Sequence, residues 1–186
     1  MNWDNLFFRM KKWNTIVSII LIILVFAHGT IASLSFLNFY INANIIAIAA
    51  FIFLIVHTIF GIIFIVKSRT PKDDNDYLQS NEIFWIRRIS GFLILILVFI
   101  HFTMYGHMVD GQFVLLRFTW WKLVIQLALI ICVLIHILTN VKPVLVDSGI
   151  SKKDIKPIDV VVIIFTLFFI IATVIYFISW QTGVFS

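Results

Sequence analysis

The sequence predicts an all-α fold, an integral membrane bundle of five transmembrane helices, on three observations. Five apolar runs are each long enough to cross a hydrocarbon core, which needs about 20 predominantly apolar residues. The 186 residues are 62% hydrophobic and only 12% charged, with 20 Phe and a mean hydropathy of +1.09, leaving too little polar surface for a water-soluble domain of this size. The 14 Lys and Arg gather between the runs, where orientation signals belong. The net charge of +5 therefore marks a lipid-bilayer protein, and no nucleic-acid partner is implied.

Residues 1–14 mix Arg9, Lys11 and Lys12 with Trp3, Phe7, Phe8 and Trp13, the pattern of an amphipathic interfacial N-terminus. The first span, about 16–39, runs well past the apolar core of 7–15 residues that a signal peptide uses. After a short turn the second span, about 45–66, ends at Lys67, Ser68, Arg69 and Pro71, and the stretch from Lys72 to Glu82, with Asp73, Asp74 and Asp76, reads as a solvated loop. The third span, about 89–108, follows Arg87 and Arg88 and exits through Asp110-Gly111, a turn pair. Arg117 and Trp120-Trp121-Lys122 mark re-entry through an aromatic belt, and the fourth span, about 123–141, closes at Lys142-Pro143. A polar connection over 144–157 leads to the fifth span, about 160–180, which holds neither histidine nor charge. No Asp or Glu lies within any of these five runs, and residues 15–186 form one domain.

The basic residues orient the bundle. Arg9, Lys11, Lys12, Lys67, Arg69, Lys72, Arg87, Arg88, Lys142, Lys152, Lys153 and Lys156 fall on one side, and only Arg117 and Lys122 on the other. Such a bias places the N-terminus in the cytoplasm and the C-terminus outside.

Four histidines, His28, His57, His101 and His136, each sit in the interior of one of the first four runs, with His107 at the outer end of the third. An ionisable side chain at that depth is costly and faces a bundle interior or cavity, so four together mark a site. At about 1.5 Å of rise per residue, His28 and His101 lie roughly 20–24 Å from the basic edge, and His57 and His136 roughly 9–15 Å. Spans one and three thus supply an outer pair and spans two and four an inner pair, which suits two bis-histidine haems b about 10 Å apart. Cys132 is the single cysteine, so covalent haem attachment is excluded and each haem is held by its axial ligands. Ala32, Gly61 and Cys132 each stand four residues from a histidine and share its helix face, leaving room for a flat macrocycle. Arg117 and Lys122 outside, and Arg87, Arg88 and Lys142 inside, are candidates to neutralise propionates. His107 is either a loop histidine or an outer contact to a haem or quinone.

Trp85-x-x-Arg88-x-Ser90-Gly91 followed by His101, and His136 followed by Asn140, Lys142, Asp147 and Gly149, resemble motifs of the membrane-anchor cytochrome b of succinate dehydrogenases and fumarate reductases, in its five-helix, two-haem form. The resemblance covers about residues 15–180, with Asn140 and Lys142 standing where that family has Gly and Arg. It implies a non-catalytic electron-transfer subunit of a bacterial cytoplasmic membrane. Its partners would be a flavoprotein and an iron-sulfur subunit on the cytoplasmic face, and its electron-transfer partner a membrane quinone, menaquinone. A free-standing or differently partnered cytochrome b for quinol or ferric reduction is the nearest alternative. A histidine-based metal transporter is the alternative from another class, although such sites usually add acidic or thiol ligands.

Overall fold

The computed structural model describes residues 3–37, 44–68, 82–109, 112–147 and 156–183. The 38–43 turn, the polar segments 69–81 and 148–155, and Asp110-Gly111 lie outside the described residues, as do the side chains of His107 and Asp147. Five helices are long and apolar enough to cross a membrane: α1, Trp3–Phe36; α2, Asn44–Ser68; α3, Glu82–Phe102; α4, Trp120–Asp147; and α5, Lys156–Gln181.

Helix α1 has no proline or glycine before Gly29, so nothing interrupts it. Its 34 residues span about 51 Å, far more than the roughly 30 Å hydrocarbon layer. The amphipathic N-terminus is therefore the projecting end of α1 and not a separate element. Arg9, Lys11, Lys12 and Trp13 are exposed there.

Helix α3 stops at Phe102, short of the exit at Met108 that hydropathy alone gives. Its last turn tightens as Thr103 N and Thr103 Oγ1 both donate to Ile100 O, at 3.0 and 2.8 Å. The chain then forms strands β1, Gly106–Val109, and β2, Gln112–Leu115, antiparallel with Gly106 opposite Leu115 and Val109 opposite Gln112. Asp110-Gly111 stands between the paired ends, a dipeptide that favours two-residue hairpins. Lys122 Nζ secures the base by donating to Met104 O at 2.7 Å and Arg117 O at 2.9 Å.

Helix α4 continues through Pro143 to Asp147, past the stop expected at Lys142-Pro143. Proline lacks the N–H that would bond the carbonyl four residues back, which is that of Thr139. Arg87 Nε of α3 donates to this carbonyl at 2.9 Å, so the orphaned acceptor has a partner and the helix runs on. Helix α5 likewise begins earlier than the apolar run, with Asp159 in its first turn. A carboxylate is favourable there because of the helix dipole, and it pairs with Lys142 of α4 at 2.7 Å.

Helix α1 packs on α2 and α5, and α4 packs on α3 and α5, with a light contact between α1 and α4. Among the described residues, the Cα traces of α1 and α3, of α2 and α4, and of α2 and α3 nowhere come within 8 Å of each other. Aromatic side chains bridge α2 to α3, with Phe51 4.9 Å from Phe102 and 6.2 Å from Phe99 between ring centroids. The first four helices thus stand at the corners of a square, with α1/α3 and α2/α4 as its diagonals and α5 buttressing the α1–α4 side. Ile45, Ile48, Ile52, Ile59 and Ile62 form an exposed stripe on α2, suited to lipid. Hydroxyls inside the helices bond their own backbone, as Thr30, Thr58, Thr166 and Thr173 do to the carbonyl four residues earlier, because no water is present to satisfy them.

Candidate functional site

The histidines meet along the diagonals. His28 of α1 faces His101 of α3 with ring centroids 6.2 Å apart and planes at 85°. His57 of α2 faces His136 of α4 at 6.2 Å and 84°. These are the two pairs that the depth count gives. A direct ring-to-ring hydrogen bond of about 2.9 Å, with each nitrogen about 1.1 Å from its ring centre, would need centroids about 5.1 Å apart. One metal ion between two imidazole nitrogens, at about 2.0–2.1 Å from each, needs about 6.3 Å. Both pairs, at 6.2 Å, have room for such an ion, a spacing that edge-to-face ring packing also spans, on helices whose Cα traces stay more than 8 Å apart.

The other ring nitrogens explain how the imidazoles are aimed. Ser18 Oγ lies 3.1 Å from His57 Nδ1 and donates its one hydrogen to Asn14 O at 2.7 Å. With its proton committed, the hydroxyl accepts from the imidazole, so His57 carries hydrogen on Nδ1 and a lone pair on Nε2. Ser90 repeats the arrangement: Oγ donates to Arg87 O at 3.2 Å and lies 3.0 Å from His136 Nδ1. His101 Nδ1 is 2.9 Å from Gln126 Oε1, an amide oxygen that can only accept. Among the described residues, His28 Nδ1 is buried without a hydrogen-bond partner. Metal-ligating histidines characteristically donate the second ring N–H to such acceptors, which orients the ring and raises its basicity.

These contacts also measure the separation of the two levels. Ser18 and His28 on α1 are ten residues apart, Ser90 and His101 on α3 eleven, and Gln126 and His136 on α4 ten. Each of these three helices thus touches both levels, and the rise places them about 15–17 Å apart. That is wider than the 10 Å expected from the basic edge, because the basic residues do not lie at one height: Lys12 and Arg88, from which the outer pair is counted, sit nine and six residues inside the starts of α1 and α3.

Apart from Arg87, the cationic candidates are otherwise engaged. Arg88 lies over the Phe84 ring at 3.6 Å, Lys142 pairs with Asp159, Lys122 serves two carbonyls, and Arg117 is exposed. His107 belongs to β1, opposite Val114. Arg87 is the arginine that reaches the site. It lines a cavity of about 220 Å³ with Lys11, Asn14 and Asn140, and Asn140 Nδ2 donates to His136 O at 2.7 Å. This cavity is at the basic end, beside the residues whose carbonyls hold Ser18 and Ser90.

Among the small residues, an added Cβ at Gly61 meets nothing within 4 Å, whereas one at Gly91 would stand 3.1 Å from His136 Cε1. Gly91 thus lets His136 approach α3. At the hairpin end, Tyr105 lies 5.2 Å from His101 between ring centroids. Burial, and secondarily Tyr176, push its phenol far above the ordinary range, so it stays protonated. Ser18 and Gln126 were not singled out by hydropathy or motif. Their signal was subtler: Ser18 and Gln126 are isolated polar residues in apolar runs, ten residues from a histidine.

Among the described residues no three His, Cys, Asp or Glu side chains gather into one cluster, so the arrangement is two pairs and not a three- or four-ligand cage. No family model matches the chain, nor does any curated protein or solved structure.

Proposed function

We propose that this chain is a di-haem membrane cytochrome b that conducts electrons across the bilayer, with His28 and His101 as axial ligands of one haem and His57 and His136 of the other. The observation that carries the reading is the pair of matched 6.2 Å histidine diagonals between helices whose Cα traces stay more than 8 Å apart. A b-type haem held by each pair of imidazoles would supply reversible one-electron chemistry.

The chain's residues do the rest. The four histidines hold the irons in the dry interior, and Ser18, Ser90 and Gln126 aim three of the rings. Gly61 leaves space beside His57. Lys11 and Arg87, which line the basic-end cavity, offer positive charge to haem propionates there, beside Arg88 and Lys142. The pairs favour this reading over metal transport, since a carried Zn or Cu ion usually finds three or four ligands together.

The excess of basic residues at one end supports a cytoplasmic N-terminus. The family resemblance supports the finer reading: an anchor passing electrons between a cytoplasmic flavoprotein and iron-sulfur pair and menaquinone. Pyridine haemochrome assay with protein quantitation should give two non-covalent haems b per chain, and a ratio of one or none overturns the assignment. Succinate added to membranes containing the assembled complex should reduce these haems. A spectrum reduced by dithionite but never by succinate, nor oxidised by fumarate, overturns the anchor role alone.

A further inference from the structure

The hydrogen bonds to the histidines follow a reciprocal scheme. In the α3–α4 pair, Ser90 of α3 serves His136 of α4 while Gln126 of α4 serves His101 of α3. In the α1–α2 pair, Ser18 of α1 serves His57 of α2, and among the described residues the return contact to His28 is absent. We propose that Ser18, Ser90 and Gln126 are positioning residues that hold His57, His136 and His101 in the Nδ1–H tautomer, present Nε2 to the bundle interior, and make the two levels electronically unequal.

The proposal rests on the haem reading above and deepens it. An acceptor on Nδ1–H gives the imidazole partial anionic character, strengthens it as a ligand, and favours the ferric over the ferrous state. The basic-end level has two such contacts and the hairpin-end level one. Each serine is committed by its own backbone: Ser18 donates to Asn14 O and Ser90 to Arg87 O. Neither can reverse its role without breaking a bond in a medium with no water to replace it.

The test is potentiometric titration of the purified, haem-loaded chain, with the two low-spin ferric signals resolved by electron paramagnetic resonance. Ser18→Ala and Ser90→Ala should each raise the midpoint potential of the same signal, the one lost in His136→Ala, and leave the other unmoved. Gln126→Leu should raise the other signal alone. Ser18→Thr and Ser90→Thr retain the hydroxyl and should restore the parent potential. The unmoved signal in each sample shows that the chain has folded. If both haems remain and neither signal moves, or if Ser18→Ala and Gln126→Leu move the same signal, the positioning role is overturned while the haem assignment stands. A parent chain with no haem overturns both.

Discussion

The basic-end and hairpin-end levels have the same histidine spacing, 6.2 Å, and nearly the same ring angle, yet their surroundings differ. Around His57 and His136 the contacts are hydrogen bonds: two serines, each anchored to a backbone carbonyl, with Arg87 and Asn140 bonding the α4 backbone one turn on. Around His28 and His101 the contacts are rings: Tyr105 stacks on Phe36 and Phe118, Phe36 on Tyr176, and Gln126 is the one side chain bonded to an imidazole. The same histidine geometry is thus reached by polar locking at one end and aromatic packing at the other. The first depends on a few directional bonds, the second on shape.

The largest effect that can break this comparison comes from removing ligands. His136→Ala and His57→Ala should lower the haem content from two per chain to about one and abolish one spectral component, while His28→Ala and His101→Ala abolish the other. Loss of the same component in His28→Ala and His136→Ala would refute the diagonals. His107→Ala should leave both components in place.

Next in size is Arg87→Ala. It leaves the Thr139 carbonyl without its donor, a loss worth about 1–3 kcal/mol when the group is buried. The thermal midpoint should fall, and the basic-end component should shift. Pro143→Ala restores a backbone N–H to that carbonyl, so the double variant should recover most of the midpoint. Additive losses in the double variant would show that the Arg87 bond does not substitute for the missing one.

Gly91→Ala should act more gently. A methyl at 3.1 Å from His136 Cε1 obliges the ring to retreat by a few tenths of an ångström. The expected result is a changed ferric line shape at the basic end with two haems retained. An unchanged spectrum would mean that the approach to α3 does not hold the ring.

The smallest effect sharpens the asymmetry. Ala47 lies ten residues before His57 on α2, the register from which a return contact to His28 would come. Ala47→Ser should lower the potential of the hairpin-end component slightly by giving His28 an acceptor. A shift at the basic end instead would show that the register is misplaced.

The spans and the levels of the histidines were legible in the sequence because hydropathy and rise are properties of the local chain. Four interior histidines in four apolar runs, counted at a fixed rise, give pairs without any knowledge of packing. Run ends were less legible. Val109, Phe113, Val114 and Leu115 are as apolar as a span, and only pairing across Asp110-Gly111 turns them into strands. Pro143 stops a helix unless something satisfies the carbonyl it orphans, and that something, Arg87, comes from 52 positions away.

What tertiary structure alone decided is the company each imidazole keeps. The partners of His57, His136 and His101 lie 39, 46 and 25 positions away, so no local pattern names them. Packing likewise sends Lys142 to Asp159 and brings Arg87, one residue from the arginine that the motif marks, beside the histidine level. Apolar length and helical rise are set one residue at a time. A hydrogen bond in a membrane interior is set by which helices become neighbours and by the lack of water to stand in for a missing partner.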